Sequence, residues 1–192
     1  NPLHIVSYSK SINFKGKLKE IKKHIWSRKD RPHAIPWEFK YYERSWGFCV
    51  RHKDLIKFND NSDVNLVIDV DFEDKPLKLL EVYKPGLTNK NILCITNVCH
   101  PYQVNDSLSG LVVGAEFTKQ LMSSKQDKYG YYFLIVPETI GSICWFADNE
   151  DKVKNISHAW FFEMLGHDNR FILQKSRQGN SLIDKAFEVV LK

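Results

Sequence analysis

The sequence predicts an α/β fold, with a mostly parallel central sheet flanked by helices and a smaller α+β segment inserted into it or docked on it. Three observations carry this reading. Residues 91–98 (NILCITNV), 131–136 (YYFLIV) and 158–165 (HAWFFEML) are short, mostly apolar runs, as strands covered on both faces are. Stretches of helical character follow each of them, giving strand, helix, strand, helix, strand, helix. The texture changes at Pro85-Gly86, before which the chain is basic, aromatic and broken by proline. The expected division is therefore a core of residues 1–9 and 85–192 with a smaller segment, 10–84.

The elements follow in order. Residues 16–25 (GKLKEIKKHI) place Leu18, Ile21 and Ile25 at helical spacing and predict a short amphipathic helix. Residues 32–50 are rich in aromatic and basic side chains, and Pro32 and Pro36 interrupt regular structure there. Residues 64–72 (VNLVIDVDF) alternate polar with apolar and predict a half-buried strand, with 77–83 (LKLLEVY) as its partner across a turn at Glu73-Asp74-Lys75-Pro76. After strand 91–98 and a loop, Ser107 to Met122 reads as a helix, with Leu108, Leu111, Val112, Ala115 and Met122 along one stripe. Asp106 or Ser107 is placed to cap its first turn. Residues 139–149 and 181–191 are the remaining helices.

Composition excludes several classes. Hydrophobic residues make up 43% of the 192-residue chain, enough to bury a core, so disorder is excluded. The net charge of +5 is mild, and its early basic cluster (Lys15 to Arg31) is not part of a nucleic-acid-binding module. It reads as a solvated face. No run approaches a membrane span, and no signal peptide is visible. The chain opens at Asn1-Pro2 without an initiator Met. Cys49, Cys94, Cys99 and Cys144 form no CxxC pair, and Cys94, Cys99 and Cys144 sit in or beside apolar runs as buried free thiols would. That usage points to a reducing compartment, and hence to a cytoplasmic location.

Active sites of α/β sheets lie beyond the carboxyl ends of the strands. Three polar clusters occupy those positions: Cys99-His100 through Asp106, then Pro137-Glu138-Thr139, then Glu163 followed by Gly166-His167-Asp168. One imidazole and several carboxylates at one sheet edge are donors suited to zinc. Each residue also has a plainer role. His100 can be a hydrogen-bonded loop residue, Asp106 a helix cap, and Glu138 a solvated loop carboxylate. Glu163, after Ala159-Trp160-Phe161-Phe162, needs a partner at the end of a buried strand, which a metal, an Arg or a Lys could equally supply. A Cys99 thiol nucleophile is set aside because adjacent loop residues rarely point at one another and no orienting acid is evident.

The stretch His100-Pro101 … Asn105-Asp106-Ser107-Leu108-Ser109-Gly110 resembles the strand–His–loop–Asp–helix element of co-catalytic dizinc aminopeptidases. Together with VPETIGS (136–142), FFEMLGHDN (161–169), S-x-QGNSLID (176–184), the opening NPLHIVSYS and PHAIPWEFKYYERSWGFC, it resembles more closely a bacterial aminopeptidase-like domain family often encoded near surface-polysaccharide genes. The resemblance spans essentially the whole chain and implies a zinc-exopeptidase-like fold. It implies that His100 binds a first zinc, that Asp106 bridges two, that Glu163 is an acidic ligand of the first, and that Glu138 is general base or ligand of the second. Two departures accompany it. VPETIGS holds one Glu where the dizinc enzymes have two, and the last His ligand is expected downstream of Lys192. The first zinc site could then be complete in this chain, but not the second, as in a fragment or a shortened member. The expected function is zinc-dependent, aminopeptidase-like hydrolysis of peptide or amide bonds, using one or two zinc ions and a peptide or amide small-molecule substrate. The alternative is a degenerate, non-catalytic binder of peptide or glycan, or an assembly module. No nucleic-acid or membrane partner is expected, and homo-oligomerisation stays open.

Overall fold

A computed structural model describes residues 4–40, 42–100, 103–125 and 127–192; Pro101 of the His-Pro motif and Tyr41 of the aromatic segment lie outside the described residues. The chain divides into two compact units, Asn1–Lys75 and Pro76–Lys192.

In the first unit, β1 (Ile12–Lys17) pairs antiparallel with β4 (Asp63–Ile68), running from Ile12 opposite Ile68 to Lys17 opposite Asp63. The alternation of β4 turns Leu66 and Ile68 inward. They meet Leu18, Ile21 and Trp46 in one buried cluster. Between β1 and β4 lie α1 (Leu18–Ile21), the two-residue parallel pair β2 (Ile25–Trp26) and β3 (Phe48–Cys49), and α2 (His52–Leu55). The helix expected over 16–25 is shortened to α1 and a 3-10 turn that continues it over Lys22–His24. The cause is tertiary: Gly16 and Lys17 are taken into β1 by pairing with Val64 and Asp63, and Ile25 into β2. Residues 5–7 also join this unit, Ile5 bridging to Phe48 and Val6 donating to the Gly47 carbonyl at 3.0 Å.

The second unit is built on a four-stranded sheet in the order β5-β7-β6-β8, with β5 Leu80–Lys84, β6 Asn91–Asn97, β7 Gly130–Val136 and β8 Ile156–Phe161. β6 runs parallel to both β7 and β8, while β5 is antiparallel to β7. This is a mixed α/β sheet with three parallel strands. Every residue of β6 is buried, as the central strand of a covered parallel sheet requires. On one side Leu93, Leu134, Val136 and Trp145 form a core; on the other, Ile92, Cys94 and Phe133 pack with Phe117 and Trp160. The strand at 77–83 does not pair with 64–72 as expected. It is β5, held to β7 with Tyr83 stacked on Tyr132 at 4.4 Å, while the partner of β4 is β1. Polar–apolar alternation marks a half-buried strand but leaves its partner open.

Helices α3 (Gly110–Ser123), α4 (Ile140–Asp148), α5 (Glu150–Val153) and α6 (Leu182–Val190) complete the unit. α3 starts later than expected because Asn105–Ser109 forms a wide turn, inside which Asp106 and Ser107 leave helical geometry. Asp106 is therefore not the cap of α3. Lys84 closes the other end of that helix: its ammonium, almost fully buried, donates to the Leu121 carbonyl at 2.6 Å, Ser124 Oγ at 2.7 Å and Asp127 Oδ2 at 2.6 Å. α6 opens on a reciprocal cap, Asp184 N–H donating to Ser181 Oγ while Ser181 N–H donates to Asp184 Oδ2. All four thiols are free. Burial pushes Cys49 up to about 11 and Cys94 up to about 12, but Cys99 and Cys144 are exposed, contrary to the reading of their apolar surroundings. No described helix is long and apolar enough to cross a membrane.

Candidate functional site

The strand order creates the site. From β6 the chain crosses through α3 to β7 on one side, then returns through α4 and α5 to β8 on the other side of β6. The connections leaving the neighbouring strands β6 and β7 therefore pass to opposite faces, through α3 and α4, and the switch point lies at their carboxyl ends, where such sheets hold their sites. His100 and Asp106 follow β6, Glu163 follows β8, and Glu138 follows the neighbouring β7. Asp106 and His100 are half-buried, while Glu138 and Glu163 are exposed.

The loops after β6 and β8 are tied to each other by backbone and short polar side chains. The Phe162 N–H donates to the Ile95 carbonyl at 2.8 Å, and the Phe162 carbonyl accepts from Thr96 Oγ1 at 3.1 Å. Gly110 stands against that same carbonyl: a Cβ there would lie 2.2 Å from the Phe162 oxygen, so only glycine lets α3 begin this close to the end of β8. Asn105 Oδ1 accepts from Gly166 N–H at 2.7 Å, and Ser109 Oγ accepts from Leu165 N–H at 2.9 Å. Asp106 and Glu163 lie between these tie points, so their backbones are held in mutual register. Asn105, Ser109 and Gly110 carry this positioning, which the sequence reading missed. Their signal was the small polar run NDSLSG, in which only Asp106 was singled out for chemistry.

Backbone geometry at the two glutamates is unusual. Thr139, directly after Glu138, has φ 60° and ψ −67°, and the Ile140 N–H donates to the Glu138 carbonyl at 2.6 Å, closing a three-residue turn that β-branched residues rarely adopt. Met164, directly after Glu163, has φ 52°. Each strand thus turns sharply at its acid, which ends β8 at Phe161, short of the Leu165 expected from the apolar run.

Electrostatics link the acids. Partial desolvation raises Glu163 above the ordinary carboxylate range, and the negative charges of Asp106 and Glu138 raise it further. Three carboxylates from three strand ends therefore share one field. His100 meets a different neighbour: its Nδ1 lies 3.3 Å from Cys99 Sγ, so the adjacent pair that was expected to diverge is in contact. Gln103, buried, accepts from the Cys99 N–H at 3.1 Å and shapes this turn. Beside the site runs an open groove lined by Val104, Leu108, Val112 and Leu165.

One imidazole and three carboxylates make a donor set suited in kind to zinc or a similar dication, and a cation would relieve the repulsion felt at Glu163. Among the described residues, no three of His, Cys, Asp or Glu form a group arranged to hold an ion.

Three likenesses bear on this geometry. The family model described as a domain of unknown function, DUF4910, matches residues 14–192. A curated protein of Clostridium acetobutylicum, provisionally named a polysaccharide biosynthesis protein with an aminopeptidase-like domain, is 36% identical over 191 residues, covering 100% of this chain and 44% of that protein. A crystal structure from Clostridium acetobutylicum, provisionally named a peptidase, superposes with a TM-score of 0.92 at 35% identity, covering 99% of this chain and 44% of that one. The chain spans less than half the length of these relatives.

Proposed function

We propose a function from one premise: the chain belongs to the DUF4910 family, whose relatives carry aminopeptidase-like and peptidase names. On that premise the unit Pro76–Lys192 is the core of a zinc-dependent hydrolase of peptide or amide bonds, with a fold of the zinc-exopeptidase kind. His100, Asp106 and Glu163 would hold the metal, and Glu138 would serve as the base or as a ligand to a second ion. The observation that supports the reading is that the loops after β6 and β8, which carry Asp106 and Glu163, are tied together through Asn105 and Ser109, with Glu163 within electrostatic reach of Asp106 and Glu138.

When bound, zinc supplies Lewis acidity, lowering the pKa of water from about 16 to about 7. The chain's own residues do the rest. Glu138 takes a proton from the attacking water as the water oxygen bonds to the scissile carbonyl carbon. As the C–N bond breaks, Glu138 returns that proton to the leaving amine. Exposure suits Glu138 to this exchange, while the half-buried Asp106 is suited to a fixed ligand role. The ties from Asn105 and Ser109 to the 165–166 backbone keep Asp106 and Glu163 at constant separation.

The experiment combines zinc analysis of the purified protein with hydrolysis of aminoacyl-nitroanilides. Bound zinc, with Glu138→Gln lowering kcat about 10²–10⁴-fold while metal content is kept, supports the enzyme. Cys99→Ser should retain turnover, which separates this chemistry from a thiol mechanism. A second reading, a non-catalytic binder of peptide or glycan at the same sheet edge, is favoured by the single Glu of VPETIGS, where the dizinc enzymes carry two. Absence of both metal and turnover would establish it over the enzyme.

A further inference from the structure

The first turns of α3 carry apolar side chains that the core does not use. α3 packs on the sheet through Gly114, against Phe133, and through Phe117, which leaves Val112 on its free side. Val112 is 66% exposed, and Val104, before the wide turn, is 77% exposed. Leu108 stands four residues before Val112, on the same side. With Val113, and with Leu165 from the loop after β8, they line an open groove of about 410 Å³. Small-molecule sites run from about 300 to 1,000 Å³. Among the described residues no charged side chain lines the groove. Its polar groups are committed within the wall: Ser109 Oγ donates to the Asn105 carbonyl and accepts from Leu165 N–H, Gln103 Oε1 accepts from Cys99 N–H, and Gly166 N–H donates to Asn105 Oδ1. A polar group entering would shed its water without gaining a partner, whereas an apolar group gains by leaving water.

The groove and the acids share one frame. Val104 lies two residues before Asp106, and Leu165 two residues after Glu163. The bonds from Asn105 to Gly166 and from Ser109 to Leu165, which hold the acids' backbones in register, also hold the two walls of the groove together. We propose that the groove is a subsite for an uncharged apolar group attached to the scissile amide, so that the substrate class narrows to amides and peptides of apolar acids. The subsite rests on the reading of Asp106, Glu138 and Glu163 as the reacting centre. Two sources supply the same chemistry, the side chain of an apolar amino acid and a short alkyl chain. Val104, Leu108, Val112 and Leu165 are then specificity-determining residues, and none of them takes part in the bond-breaking step.

Methyl NMR titration of the metal-free 192-residue chain tests the subsite without requiring turnover. L-leucinamide should shift the methyl signals of Val104, Leu108, Val112 and Leu165. L-asparaginamide, of the same shape but polar, and glycinamide should bind at least tenfold more weakly. Along the series from acetamide to hexanamide, affinity for the same methyls should rise about two- to fourfold per methylene; comparing hexanamide with leucinamide tells the alkyl source from the amino-acid source. Val112→Lys, at an exposed helix position, should weaken leucinamide at least tenfold with unchanged far-UV circular dichroism, and Val112→Met should retain binding. Val189→Lys, equally exposed on α6, should leave binding as it is. The subsite is overturned if leucinamide binds no more tightly than asparaginamide, if Val112→Lys binds like the parent, or if the groove methyls shift with protein concentration alone. Turnover keeps the two readings apart. With zinc, Val112→Lys should reduce the preference for leucyl- over asparaginyl-nitroanilide at least tenfold. Turnover with that preference intact in the variant rejects the subsite and keeps the hydrolase. Absence of turnover with the titration as described rejects the hydrolase and keeps the groove as a binding site for apolar amides.

Discussion

Glu163 has the most informative charge in the molecule. Desolvation, then Asp106 and Glu138, raise it above its value in an unfolded chain, so in the metal-free protein its ionised form is disfavoured by folding. The sign follows: its contribution is neutral in acid, where the group is protonated in both states, and becomes unfavourable as pH rises through its raised pKa. Glu163→Gln should therefore raise the Tm of the metal-free protein at pH 7, by no more than about 2 °C because solvent screens the group, and the gain should vanish toward pH 3. Zinc should reverse the order, stabilising the parent more than the variant; thermal scans with chelator and with zinc would read both. Thr139 offers a second test. Its left-handed turn carries about 1–3 kcal/mol of strain, and glycine would remove it at some cost in chain entropy. Urea unfolding of Thr139→Gly should show a net gain of about 1 kcal/mol, and an unchanged midpoint would mean that the turn is relaxed. The acids themselves were legible in the sequence because they follow apolar runs. The turns at Thr139 and Met164 were not, since positive φ at threonine or methionine leaves no mark in composition.

At the scale of elements, what could be read depended on whether the signal was local. β6, β7, α4 and α6 announced themselves by apolar runs and periodicity. Partnership did not: β5 carries the same alternation as β4, and only tertiary packing, Tyr83 on Tyr132, assigns it to β7. The late start of α3 was equally hidden, because helical spacing continues through Leu108 although the backbone at Asp106 and Ser107 is not helical. The far end of the same helix yields a prediction. Lys84 satisfies the Leu121 carbonyl from another strand, an interaction no local pattern encodes. Lys84→Met keeps the buried stem and removes the three short bonds of the ammonium; it should cost about 1–3 kcal/mol and loosen the last turn of α3. Chemical denaturation and exchange at residues 119–123 would check this, and a variant as stable as the parent would deny the cap its role.

For the molecule as a whole, each unit carries its own apolar cluster: Leu18, Ile21, Leu66 and Ile68 in the first, Leu93, Leu134 and Val136 in the second. A cavity in one should be felt mainly there. Leu134→Ala, at a fully buried position, should cost about 2–5 kcal/mol and raise exchange across β6 and β7 more than across β1 and β4; uniform loss of protection in both units would contradict this. The strand order has one more consequence. As a nascent chain lengthens, β6, α3 and β7 can close on one another while β8 is still being synthesised. β8 returns across β6, where Thr96 and Phe162 meet 66 residues apart in sequence. Glu163 arrives with it. Glu163 joins Asp106 and Glu138 only through the pairing of β8 with β6, so the acidic cluster rests on that long-range contact.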